Sequence, residues 1–365
     1  MGEDDRTLTR LPEGAARLAS ALARIGLIVL AIGYSGYLAL LVTCDLLRVS
    51  PIGFVPRFDS GSVTAGNVQP GSTVARAGLE TGDRITRANG HVIEGRTDWE
   101  WVRVHLDPSQ PLEIEFTHGG QLSTTSLLLT SGLGQWQTGA PRPGLLAFRL
   151  AQIVTLGFAL VVAFRRPLQS SALLGALLLA STATVSLVLP MRLVSFWHSL
   201  PSPLAALLWV PFATTVAVGP LLFVFFAVFP RRRASAATVS AALVPAALMV
   251  GWHLYGWSRI ARAPGPPTGV PDWNAWIFAV NVVYGAVAVG LLLMHRRAAA
   301  TPTERRRIHV LTLGVIVGVV AGAAVVGAYW RNPGADIFAT LTVTVLVLIF
   351  LAVPASFAYA ILRHR

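Results

Sequence analysis

The sequence predicts a polytopic α-helical membrane protein, with about eight transmembrane helices and one extracytoplasmic α+β domain. Three observations carry this. The 365 residues have a mean hydropathy of +0.62 with only 13% charged, a composition suited to lipid-buried helices. Apolar runs long enough to cross a hydrocarbon core of about 30 Å, which takes about 20 helical residues, recur near 25–47, 145–164, 173–189, 204–229, 236–254, 276–293, 310–330 and 337–362. Between the first two runs lies a polar stretch, 50–135, rich in strand and turn signals.

Charge placement fixes the expected orientation. The net charge is +12, and all 29 basic residues are arginine, a usage that points to a GC-rich bacterial genome. The stretch 50–135 carries six Arg against nine Asp or Glu, so the positive excess lies elsewhere and does not describe a nucleic-acid partner. Loops closing the even-numbered spans hold Arg165, Arg166, Arg231, Arg232, Arg233, Arg296, Arg297, Arg305, Arg306 and Arg307, and the tail adds Arg363 and Arg365. The opposite short loops hold Arg192, Arg259, Arg262 and Arg331. Arginine excess marks the cytoplasmic side, so both termini are expected in the cytoplasm and the polar stretch outside, in a bacterial plasma (inner) membrane. Trp197, Trp209, Trp252, Trp257, Trp273, Trp276 and Trp330 all fall near the expected outer ends, as an interfacial aromatic belt would place them. The first run follows about two dozen mostly polar residues and is as long as a full span, so it is read as an uncleaved helix. Cys44 is the single cysteine, which excludes an intrachain disulfide and any cysteine-based zinc cluster.

Within the polar stretch, residues 66–93 read GNVQPGSTVARAGLETGDRITRANGHVI. Val68 begins a strand, Gly71-Ser72 a turn, and 74–79 a short helix ended by Gly78. Gly82-Asp83 then leads into a strand over 84–88. Asn89-Gly90 is a strong hairpin signal, because a type I′ turn needs positive φ at both central residues. Thr97-Asp98-Trp99-Glu100 has the spacing of a capping box opening a helix to about Leu106. Leu112, Ile114 and Phe116 alternate with Glu113 and Glu115, the pattern of a half-buried strand.

In this order the motif PGSxxxxAGLxxGDxIxxxNG resembles a PDZ domain over about 80 residues. PDZ domains add an extended peptide to a sheet edge beside a helix and hold its terminal carboxylate in a backbone nest. The resemblance implies a nest at Ile52, Gly53 and Phe54, and a groove helix over 98–106 offering Trp99, Val102 and Leu106 to the ligand or to the domain core. Only about a dozen residues separate Gly53 from Gly66, so the groove strand is expected to be short and close to the first span. The expected divisions are a cytoplasmic segment 1–24, a first helix 25–47, the PDZ-like domain 50–132, a seven-helix region 145–362 and a tail 363–365.

The spans hold few ionisable groups, which are costly in lipid and usually functional. After residue 140 the only acids are Asp272, Glu304 and Asp336, all in loops or at span ends. His253 is expected to be an interfacial histidine, Asn281 to bond a neighbouring helix, and Arg149 to snorkel. The H-E-x-x-H of site-2-type zinc proteases does not occur. Gly33-Tyr34-Ser35-Gly36 imitates a serine-protease motif without its companions. No protease activity, metal or cofactor is therefore expected. Nor does an internal repeat point to a transporter. Thr301-Pro302-Thr303-Glu304 places Thr at an N-cap, Pro at N1 and Glu at N3 of a helix.

Glu304 to Ile308, followed by a glycine-rich span, and the run from Phe357 to Arg365 are similar to the membrane sensor region of bacterial histidine kinases of the competence-pheromone-receptor type. That resemblance implies a non-enzymatic sensor that binds an extracellular peptide or envelope-protein segment and signals to a cytoplasmic domain or kinase, with membrane lipids as further partners. The alternative expectation is a PDZ scaffold that recruits an envelope protease or its substrate.

Overall fold

The computed structural model describes residues 13–47, 52–59, 61–107, 110–129, 143–185, 200–230, 234–267, 274–299, 301–331 and 340–362. Helix α1 (Glu13–Leu47) contains a stretch, Ser20–Thr43, long and apolar enough to cross a membrane. Gly33 is where α6 (Ser202–Thr215) comes closest to it, since a Cβ there would lie 2.9 Å from Leu207 Cγ. Tyr34 adds a hydroxyl bond to Thr214 at 2.7 Å. The small residues of the serine-protease-like quartet thus serve close helix approach.

The polar stretch folds as one antiparallel sheet with two helices. Strands β1 (Val55–Asp59), β2 (Ser62–Gly66), β3 (Arg84–Ala88), β5 (Leu112–His118) and β6 (Gln121–Leu127) lie in that order, and β4 (His91–Val92) pairs with β3. Asn89 and Gly90 have φ of +46° and +76°, so the turn joining β3 to β4 has the two left-handed residues its sequence requires. On β5, Leu112, Ile114 and Phe116 are buried while Glu113 and Glu115 face outward. Helix α2 (Thr73–Arg76) is capped by the Ser72 hydroxyl, which accepts from the Ala75 N–H.

Helix α3 (Arg96–Val104) is capped at Gly95, two residues before the expected Thr97. Asp98 takes the N3 position, and one carboxylate oxygen accepts from the N–H groups of both Glu94 and Gly95 at 2.9 Å. Glu100 instead pairs with Arg103 at 2.7 Å. The acid nearer the helix start wins because only its carboxylate reaches the two unsatisfied donors.

Five stretches among the described residues are long and apolar enough to span: Ser20–Thr43, α4 (Pro143–Arg165), Trp276–Arg297 of α10 (Asn274–Arg297), Pro302–Val325 of α11 (Pro302–Arg331), and Leu341–Leu362, made of α12 (Leu341–Phe350) and α13 (Ala352–Leu362). Two further runs are bent pairs: α6 with α7 (Val218–Val228), at 74°, and α8 (Ala236–Ala242) with α9 (Val244–Arg262), at 43°. Counting each pair as one span gives seven, so the expected eight is not reached among the described residues. The run expected over 173–189 contains only the 14-residue helix α5 (Ser170–Ala183), and 186–199 fall outside the described residues. Pro245, in the first turn of α9, lacks the N–H needed to continue α8 unbroken. At the foot of α11, the Thr301 hydroxyl accepts from Glu304 N–H at 3.2 Å, the cap its sequence calls for.

The α6–α7 break frees backbone groups from the helix pattern, and Asn281 of α10 satisfies two of them. Its side-chain carbonyl accepts from Gly219 N–H at 2.8 Å, and its amide donates to the carbonyls of Val216 and Ile277 at 2.8 and 2.9 Å. Gly219 is required at this crossing, since a Cβ would stand 2.6 Å from the Asn281 carbonyl oxygen. Substituting Asn281→Leu leaves a donor and an acceptor unmet and is expected to cost about 1–3 kcal/mol, read as a lower unfolding midpoint in detergent. Asn281→Gln, with the same groups on a longer stem, should restore only part of it.

Candidate functional site

Strand β1 is one edge of the described sheet, β6 being the other. Its register with β2 closes at Asp59–Ser62 across two residues, so this pair exchanges hydrogen bonds and the pairing alternates from there. Phe58 and Pro56 therefore turn their backbone groups to the open side. Pro56 has no N–H to offer, which is why proline is tolerated in an edge strand. The edge presents the carbonyls of both residues but a donor only from Phe58.

Helix α3 runs antiparallel beside this edge. Near its first turn the Arg96 guanidinium lies 4.4 Å over the Phe58 ring. One turn on, Trp99 meets Phe54 at 5.4 Å between ring centroids. The expected nest precedes β1: Gly53 is buried with φ +100°, and a Cβ there would come within 2.5 Å of Ser72 Cβ. Its carbonyl accepts from Gln69 N–H at 2.8 Å, which ties the loop to the foot of α2. Ile52, Phe54 and Leu106 are half-buried and pack against the core, whereas Trp99 and Val102 lie within it. Loop and helix thus meet through Phe54 and Trp99. The buried Trp99 Nε1 has no acceptor among the described residues, and such a donor draws an acceptor when one is supplied.

Sequence reasoning passed over Trp101. It lies two residues beyond Trp99, on the opposite face of α3, yet is only 7% exposed. Its Nε1 donates to the Ala263 carbonyl at 3.1 Å, immediately after α9. His91 meets the indole edge-on at 4.6 Å and His105 stacks on it at 4.3 Å. Helix α3 is thereby fixed to the end of α9. The signal was Trp99-x-Trp101 itself: large apolar residues on both faces of a short helix require burial on both sides.

At the far end of the sheet His118 Nδ1 lies 2.8 Å from Asp83 Oδ1, while Asp83 Oδ2 accepts from Glu80 N–H at 2.7 Å. The hydrogen bond to Asp83, reinforced by its charge and that of Glu80, raises the His118 pKa above its ordinary value of 6.5.

In the bundle, Arg149 is buried, donating to Gln152 Oε1 at 2.5 Å, and Gln152 donates to the Val185 carbonyl at 2.6 Å. This corrects the snorkelling expectation: a bonded network within the bundle holds the guanidinium. His253 is buried against Phe212, centroids 4.9 Å apart. Trp197 and Trp273 lie outside the described residues.

A protein-family model of the PDZ domain matches residues 50–129. The chain is 33% identical over 88 residues to Protease RseP of Yersinia pestis, covering 24% of this chain and 19% of that protein. It is 28% identical over 174 residues to a protein of Ralstonia nicotianae named as a zinc metalloprotease, RSc1411, covering 44% of this chain and 36% of the relative. The chain thus spans well under half the length of these curated relatives. No solved structure matches it. A PDZ domain beside membrane-length apolar helices is therefore present.

The kinase-sensor resemblance is not supported, because both relatives carry protease names. The same finding overturns the expectations of a signalling sensor and of a protein that is no enzyme. Zinc, which the second relative's name implies, does not fit the described residues: no three His, Cys, Asp or Glu side chains gather among them.

Two outcomes follow from this geometry. Trp101→Phe removes the bond to Ala263 while keeping the ring, and Trp101→Ala removes both. Distances between spin labels on β6 and α9 should broaden slightly for Phe and strongly for Ala. For His118, proton NMR should give a midpoint above 6.5 that returns toward 6.5 in Asp83→Asn. Because the folded value is raised, the stability from this pair is fully present below about pH 6.5 and lost as pH rises through the raised midpoint.

Proposed function

We propose that this chain works in membrane proteolysis, its PDZ domain capturing an extended segment of an envelope protein for a zinc metalloprotease of the relatives' class. The observation that carries the reading is the open edge of β1 lying beside α3 in a chain whose relatives are named as proteases. The captured segment pairs with the outward groups of Pro56 and Phe58, and its end meets the loop Ile52-Gly53-Phe54 beneath Trp99. Trp99, Val102 and Leu106 form the helix wall. Arginine placement supports a bacterial plasma membrane with this domain outside and both termini inside, the divisions being 1–24, 25–47, 50–132, 145–362 and 363–365.

The groove is narrow as it stands. Arg96 over Phe58 and Phe54 against Trp99 bridge β1 and α3, so a ligand displaces Arg96 from the ring or lies outside it. A guanidinium at that position favours a segment carrying an acidic side chain.

Photo-crosslinking from an aryl-azide residue at Arg57, exposed on β1, tests this in native membranes. An envelope-protein adduct is expected, and it should disappear in Phe58→Pro, which removes the last edge donor. An adduct unchanged by that substitution would remove β1 from the reading. Pro56→Thr adds a donor and should tighten capture by about 1 kcal/mol, roughly a fivefold lower dissociation constant.

A further inference from the structure

We infer that the cleft between α4 and α13 binds an anionic phospholipid, one acyl chain lying in the cleft and the phosphate on Arg165. The cleft has a volume of about 400 Å³ and is lined by Phe158, Arg165, Ala355, Ala358, Tyr359 and Leu362. All but Arg165 are apolar or aromatic, and Arg165 closes one end.

Position selects the ligand. Arg165 is the last residue of α4 and Leu362 the last of α13, and Arg166 holds the two ends together by donating to the Leu362 carbonyl at 3.4 Å. The cleft therefore opens where two membrane-length stretches, Pro143–Arg165 and Leu341–Leu362, finish together. The apolar wall lies toward the hydrocarbon, and the guanidinium lies where headgroups lie.

Charge selects the headgroup. Arg166 is engaged with Leu362 and with Gln169 at 2.8 Å, whereas Arg165 is exposed and makes no ion pair among the described residues. Helix α11 packs on α13 through Gly314 against Ser356 and Gly318 against Val353. That packing brings its first turn, with Arg305 and Arg306 exposed, to the same end. Glu304 is the single acid there among the described residues. Two helix C-termini present carbonyls and repel an anion by themselves, so its binding depends on the arginines. Basic pockets between spanning helices at one membrane face are suited to phosphate headgroups. A soluble phosphate has no use for the apolar wall, and a zwitterionic lipid, whose cation offsets its phosphate, gains less from the arginines; the two together describe one anionic amphiphile.

The test is native mass spectrometry of the full chain, purified with phosphatidylglycerol and phosphatidylcholine of identical acyl chains. Preferential retention of phosphatidylglycerol is expected. Arg165→Gln should reduce that preference about fivefold, the factor one arginine contributes near an anionic surface. Ala355→Leu, at an exposed position on the cleft wall, should lower retention of both lipids alike. Arg306→Gln, exposed at the same end but outside the cleft, should reduce the preference clearly less than Arg165→Gln. Equal retention of the two lipids by the native chain would overturn the proposal. So would an equal loss in Arg306→Gln and Arg165→Gln, which reports diffuse charge. Displacement of the lipid by inorganic phosphate would also overturn it, leaving an anion site without the acyl chain.

Discussion

Burial of α3 on both faces is the constraint on which the rest of this arrangement depends. A nine-residue helix is too short to persist in water alone, and one packed face would hold it to the sheet. Here Trp99 and Val102 fill the domain core while Trp101 is sealed against the end of α9. One helix of the PDZ domain is thus tied to the membrane bundle. Anything that shifts α3 relative to β1 must also strain the Trp101–Ala263 contact. His91, edge-on to Trp101, and His105, stacked on it, extend that contact to β4 and to the end of α3 itself.

The bundle shows the same dependence on a few polar side chains. Breaks between α6 and α7 and between α8 and α9 free backbone groups that lipid cannot satisfy. At the first, Asn281 reaches across from α10 and binds both sides of the break. At the second, the Tyr284 hydroxyl, also from α10, donates to the Ala242 carbonyl at the end of α8. Helix α10 therefore acts as a brace for both irregular spans. Its own first bonded partner, Ile277, is part of the same arrangement.

Much of this was legible in the sequence. Asn89-Gly90 fixed a turn whose dihedrals allow few other residues, and alternation over Leu112–His118 fixed which face of β5 is buried. The Thr301-Pro302-Thr303-Glu304 cap held for the same reason: local chemistry decides a local feature. What stayed hidden depends on distant partners. Hydropathy counts apolar residues but does not reveal a 74° bend, so run 204–229 read as a single span. Arg149 read as an interfacial cation because its partners, Gln152 and the Val185 carbonyl, meet it only after α4 and α5 pack. In the groove, Trp99 and Val102 were placed on the right helix, but spacing alone did not distinguish the core face from the ligand face. Trp101 was missed because its partner lies 162 residues away. The kinase resemblance failed for another reason: basic residues after a last span are common to many membrane proteins and carry little family information.

The weakness of the β1 edge is consistent with a role in proteolysis. A segment held for cleavage must also be released, so tight capture would inhibit turnover. A full augmenting strand exchanges several backbone hydrogen bonds, each contributing about 0.5–1.5 kcal/mol net. Pro56 removes one donor from a strand of only five residues, and Arg96 occupies the Phe58 ring that a ligand side chain would cover. On the proposed reading both features would lower affinity without distorting the sheet, because proline at an outward edge position breaks no bond to β2. What the groove lacks in strength its attachment supplies in placement. On the proposed reading, a ligand bound along α3 would be held beside the end of α9 through Trp101, so geometry would set its effective concentration there more than intrinsic affinity.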